Sequence, residues 1–142
     1  MHIKRLASFI LLGVATLAAA SPWLIYSVAL AQLGGHPIPP TNLQSQSVQL
    51  RAWQEAKGAG TPQLLVLNPV NYAFVASMAA EQRASSTIAW QVARDYNAKN
   101  LGTSSTLRWH IAGAALTIWL TRNWSMEQLL TRAAELHARS AA

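Results

Sequence analysis

The chain reads as an all-α protein carried on an N-terminal transmembrane helix. Leu6 to Leu33 is apolar except for small hydroxyls, Pro22 and Gln32, and about 20 apolar residues are enough to cross a bilayer. Leu107, Ile111, Ala114 and Ile118 recur at helical spacing, and Trp109, Ala112, Leu116 and Trp119 widen the same apolar surface, the pattern of a central helix. Helix-start chemistry stands at Asn68-Pro69 and at Ser125 with Gln128. In these pairs a side-chain oxygen can satisfy a free backbone N–H, and proline suits the first helical position.

Residues 1–33 form the anchor. The basic head Met1-His2-Ile3-Lys4-Arg5 predicts that Lys4 and Arg5 hold the N-terminus in the cytoplasm and send the rest outward. Pro22, which lacks an N–H, is expected to kink the helix or end its spanning part. Trp23 and Tyr26 suit the headgroup layer, where a ring buries its body and wets its polar edge. The rival is a signal peptide cleaved after Ala18-Ala19-Ala20. Against it, apolar sequence continues from Trp23 to Leu30, so cleavage would leave an exposed hydrophobic end. Both readings place the domain outside the membrane.

Residues 34–46 contain Gly34-Gly35-His36-Pro37-Ile38-Pro39-Pro40, a stiff extended stalk with His36 as a solvated residue. The helical domain then occupies 47–142. A helix over Ser47 to Lys57 carries Val48, Leu50 and Trp53 and stops at Gly58. Leu64 to Leu67 is a short strand or a buried extended segment. Asn68-Pro69 opens a helix to about Gln82, and Ser85 or Ser86 caps another that reaches Lys99. Asn100-Leu101-Gly102 ends that helix, because Asn and Gly tolerate the left-handed conformation. Ser104 or Ser105 caps the longest helix, to Arg122, and Ser125 with Gln128 forms a capping box for the last, which buries Leu129, Leu130, Ala133 and Leu136.

Composition narrows the chemistry. The 142 residues hold 11 Lys and Arg against five acids, a formal charge of +6, which favours anionic partners. The cations are scattered and form no basic run, so nucleic acid is not expected as a partner. There is no cysteine, which removes disulfides, a thiol nucleophile and thiolate zinc sites. No His or acid spacing matches a metal site, and nothing in the sequence asks for a cofactor. The six Trp read first as core and interface packing.

Ser86-Thr87-Ile88-Ala89-Trp90-Gln91-Val92-Ala93-Arg94-Asp95 is the stretch closest to an enzyme motif. It resembles Ser-Thr-Ile-Thr-Gln-Gln-Leu-Ala-Arg-Asn of the peptidoglycan glycosyltransferases, the murein polymerases that extend glycan strands from lipid II. Ser86, Thr87, Ile88, Gln91, Ala93 and Arg94 match, and Ala89 and Trp90 depart. Further likenesses follow in the family's order. Asn68-Pro69-Val70-Asn71-Tyr72 stands where the family has Glu-Asp-x-x-Phe, with Asn68 in place of the general base and Tyr72 for the aromatic. The Arg108 to Arg122 helix is similar to one that begins Arg-Lys with a Glu one turn on. Here Arg108, Trp109 and His110 fall on that start, and Ala112 or Gly113 replaces the acid. Trp124-Ser125-Met126-Glu127-Gln128-Leu129-Leu130 is similar to the segment that follows, with Met126 for its Lys.

The resemblance implies a small lysozyme-like, glycosyltransferase-like helical domain on the outer face of a bacterial inner membrane, single-pass and periplasmic. It also implies that Asn68, Tyr72, Ser86, Thr87, Gln91, Arg94, Arg108 and His110 sit at the ligand site. The family's reaction needs a carboxylate to take a sugar hydroxyl proton, help worth about a hundred- to ten-thousand-fold, and an amide cannot accept it. Glu81 is the only acid between the two upstream motifs and so the best rescue candidate. A helix cap is the plainer role for Asn68, and a core histidine the plainer reading of His110. The expectation is a non-catalytic binding or adaptor component of the cell envelope, with the membrane and an anionic lipid, a peptidoglycan precursor or a protein as partners. The alternatives are a divergent active polymerase using Glu81, and an accessory subunit of a membrane complex unrelated to glycan chemistry.

Overall fold

The computed structural model describes residues 2–102 and 105–141, with side chains from residue 10 onward. The expectations attached to the side chains of Lys4 and Arg5, and to Ser104 as an alternative cap, lie outside the described residues. Among the described residues every regular element is a helix.

The first helix, α1 (His2–Ala31), is continuous through Pro22. Proline denies an N–H to the carbonyl of Ala18, and the Ser21 hydroxyl donates to that oxygen instead at 2.9 Å. Thr16 and Ser27 likewise bond back to the carbonyls of Leu12 and Trp23. Within a bilayer each polar group must be satisfied inside its own segment, and these hydroxyls are. Ile10–Ala31 is long and apolar enough to cross a membrane. Its residues are exposed or at most partly covered except Ala29, and Leu33, just past its end, enters the core.

Residues 34–45 are extended without regular structure, as expected of a proline-rich run, but they lie against the domain. His36 stacks on Trp119 with ring centroids 4.4 Å apart, Arg132 donates to the Ile38 carbonyl, and the Gln44 N–H donates to Thr131 Oγ1 at 3.1 Å. His36 is exposed, as expected of a solvated residue, while one face of its ring rests on Trp119. Prolines make this possible, since their apolar rings pack and they bring no N–H that needs a partner.

Among its described residues the domain has four α-helices, α2 (Gln46–Glu55), α3 (Ala84–Asn100), α4 (Thr106–Asn123) and α5 (Met126–Ser140), with a short 3-10 helix over Asn71–Ser77. Helices α3 and α4 form an antiparallel hairpin, since Asn97 bonds to Trp109 and Trp90 overlies Gly113. α5 packs on α2 and α3, and α1 docks on α4. Trp53, Ile88, Val92, Leu116, Leu120, Leu129 and Leu130 form the core with Leu33. α4 is central as its broad apolar surface predicts, but Leu107 in its first turn is left 70% exposed.

Two local expectations are revised, and of the two readings of Leu64 to Leu67 the extended segment is the one found. The helix from Asn68 to Gln82 is only the 3-10 turn, and none of its residues is buried; without tertiary burial, so short a segment has too little to hold an α-helix. Asn68 is not the N-cap of that segment, which is Val70 without a side-chain cap, but its Oδ1 holds the turn leading into it by accepting from the N–H groups of Val70 and Asn71. Leu64 to Leu67 is extended but pairs with no strand. The Leu65 N–H donates to Ser85 Oγ, that of Leu67 to Thr121 Oγ1, and Arg122 donates to the Leu67 carbonyl. Finally, α3 begins at Ala84, with Ser86 and Thr87 inside its first turn and both hydroxyls donating to the Arg83 carbonyl.

Other start and stop signals hold. Gly102 is left-handed at φ 52°, Ser105 Oγ accepts from Arg108 at the start of α4, and Ser125 with Gln128 makes the full capping box of α5. At the end of α2 the left-handed residue is Lys57, while Gly58 lies under Trp53, where a β-carbon would meet the indole at 2.1 Å.

Candidate functional site

The first turns of α3 and the 3-10 segment meet in an open groove of about 300 Å3 lined by Tyr72, Val75, Ala76, Arg83, Ser86, Thr87 and Trp90. Arg83, Ser86, Thr87 and Trp90 fall on one side of α3 because positions three and four apart share a helical face. Asn68 sets the other wall. By accepting two backbone N–H groups it starts the turn that carries Tyr72, and the Tyr72 N–H in turn donates to the Asn68 carbonyl at 3.0 Å.

Tyr72 stands between this groove and a second, apolar one of about 320 Å3, where Pro22, Ile25 and Tyr26 of α1 face Ile111, Ala115 and Ile118 of α4. Burial pushes the Tyr72 phenol above its ordinary value near 10, with the Thr117 hydroxyl opposing that rise, because a phenolate is poorly stabilised away from water. Arg83 reaches toward the Ala76 carbonyl at 3.4 Å and is otherwise exposed. The Ser86 and Thr87 hydroxyl protons are engaged by the Arg83 carbonyl, at 2.7 and 3.1 Å. What faces outward is one side of an indole and a guanidinium, with the Tyr72 phenol turned to the buried Thr117 hydroxyl. Such a surface can stack a sugar ring and pair an anion.

The remaining predicted residues are dispersed. Glu81 is exposed and lines a different groove with Trp53, Thr61, Gln63 and Gln82, so it does not share the groove of Ser86. Gln91 is half-buried, and its Oε1 has no partner among the described residues. Arg94 is exposed on α3. Arg108 lies across the hairpin, on a groove between α1 and α4. His110 is exposed, not the core histidine its apolar helix suggested. Its ring is parallel to Trp90 within 1° at 6.4 Å and edge-on to Trp109 at 5.2 Å.

Trp90 and Gly113 meet one another across the hairpin. A β-carbon on Gly113 would stand 2.5 Å from Cζ3 of Trp90, so the indole occupies the space where any larger side chain at position 113 would begin. Arg83 and Trp90 are the groove residues that sequence reasoning missed. Their spacing from Ser86, three before and four after, was the available signal.

Charge follows the same division. Asp95 pairs with Lys99, Glu135 with Arg132 and Glu55 with His137. Glu127 is held below the ordinary carboxylate value by the Ser125 hydroxyl and by backbone N–H in the first turn of α5, where the helix end favours an anion. Arg83, Arg94 and Arg108 join no ion pair among the described residues. No cluster of His, Asp and Glu able to hold a metal occurs among them. Comparison with protein-family models, with curated proteins and with solved structures finds no match for this chain.

Proposed function

We propose that the chain is a membrane-anchored, glycosyltransferase-like helical module at the outer face of a bacterial inner membrane that binds a glycan-bearing anionic ligand without turning it over. One observation carries this reading. Tyr72, Ser86 and Thr87 converge on one groove with Arg83 and Trp90, and no carboxylate is among the described residues that line it. A general base must come within about 2.6–3.2 Å of the proton it takes, and Glu81 faces another groove. An indole beside a guanidinium instead suits a sugar attached to a phosphate, the chemistry of a lipid-linked peptidoglycan precursor. The order of the motif residues along the chain supports descent from the polymerase scaffold.

The test uses the full chain in mild detergent with lipid II. Tryptophan fluorescence reads binding, and gel separation of glycan products reads polymerisation. The expected result is saturable binding weakened by Trp90→Ala and by Arg83→Gln, with no polymer formed. Polymer made by the wild type and abolished by Glu81→Gln would establish the divergent polymerase instead. Absence of binding to lipid II and muropeptides, with a larger assembly co-purifying, would favour the accessory-subunit reading.

A further inference from the structure

The last turns of α1 and the first turns of α4 enclose a further groove, of about 480 Å3, which shares no lining residue with the groove of Ser86. Leu24, Ile25 and Val28 form its α1 wall, Leu107 and Ile111 its α4 wall, and Arg108 is the one charged side chain among the described residues that line it. The volume is in the range of sites that hold small ligands, roughly 300–1,000 Å3.

What fills it follows from where its walls come from. Leu24, Ile25 and Val28 belong to the Ile10–Ala31 segment that is long and apolar enough to cross a bilayer, so the medium against the α1 wall is hydrocarbon or its boundary. Leu107, on the opposite wall, is 70% exposed and Leu24 60%. Trp23 and Tyr26, one edge-on to the other at 6.3 Å, mark the headgroup level beside the groove. At that level a cation attracts anionic lipid, and Arg108 is exposed, at the rim and in no ion pair among the described residues.

We infer that this groove holds an acyl chain of an anionic phospholipid from the leaflet at the C-terminal end of α1, with the phosphate against the Arg108 guanidinium. The lipid bridges α1 and α4 and ties the domain to the bilayer surface. This site is independent of whatever the Ser86 groove binds.

The probes are phosphatidylglycerol and phosphatidylcholine with identical chains, titrated onto the full chain in mild detergent and read by native mass spectrometry. Phosphatidylglycerol carrying a diazirine in its acyl chain then maps the contact. The wild type is expected to retain phosphatidylglycerol preferentially and to be labelled on Leu107 or Ile111 as well as on α1. Arg108→Gln lowers the preference for the anionic lipid by about fivefold, the loss of one surface cation. Val28→Trp, at an exposed position, fills the groove and displaces both lipids. Label confined to residues 10–21, anionic preference intact in Arg108→Gln, or retention of lipid by Val28→Trp would each overturn the inference.

Discussion

Replacing Gly113 with Val tests whether the Trp90–Gly113 contact sets the α3–α4 hairpin. The new β-carbon would lie 2.5 Å from Cζ3 and 2.8 Å from Cη2 of Trp90, and 3.4 Å from Asn97 Nδ2. Carbon atoms rest at about 3.5–4.0 Å, so the indole must retreat by about 1 Å or more. It is not free to do so, because the Trp109 ring stands edge-on to it at 5.7 Å. Overpacking of this kind costs about 1–3 kcal/mol. The better helix propensity of Val over Gly offsets a few tenths of a kcal/mol, which leaves a net loss of about 2 kcal/mol. Thermal unfolding of the chain in mild detergent, followed by far-ultraviolet circular dichroism, should show Tm falling by about 10 °C. Trp90→Phe withdraws the clashing ring atoms, so the double variant should lose less than the sum of the single losses, by about 1 kcal/mol. A Gly113→Val protein as stable as wild type, or strict additivity in the double variant, would refute the reasoning.

Other perturbations have equally definite outcomes. Because burial raises the Tyr72 phenol, its contribution to stability is intact below the ordinary phenol value and lost as pH climbs through the folded one. The phenolate absorbance difference between wild type and Tyr72→Phe should therefore rise later than for an exposed tyrosine, and an ordinary titration would contradict that placement. Ser125→Ala removes the cap of α5 and the first hydroxyl partner of Glu127. It should cost about 1 kcal/mol in denaturant unfolding and move the Glu127 titration upward, by NMR. The depressed Glu127 value stabilises the fold above the ordinary carboxylate range and is lost as pH falls through the folded value. His36→Ala deletes the ring stacked on Trp119, a contact worth about 0.5–1.5 kcal/mol, and should speed limited proteolysis within residues 34–45; unchanged cleavage would show that the stacking does not hold the segment.

Local chemistry carried much of this protein in its sequence. The apolar run of α1, the capping box at Ser125, the left-handed Gly102 and the broad apolar surface of α4 each depend on residues within a turn or two of one another, so their order along the chain is enough to specify them. The groove residues were partly legible for the same reason, since Arg83, Ser86, Thr87 and Trp90 share one face of a single helix. Tertiary packing decided the rest. It left the segment after Asn68 a 3-10 turn with none of its residues fully buried, and it held Leu65 and Leu67 extended through hydroxyls from two different helices. It also separated Glu81 and Arg108 from the groove of Ser86. Which side chains meet across helices depends on how those helices cross and on the volume each residue leaves for its neighbour. Trp90 against Gly113 is that kind of fact, with 22 residues between them in the chain and a close contact in space.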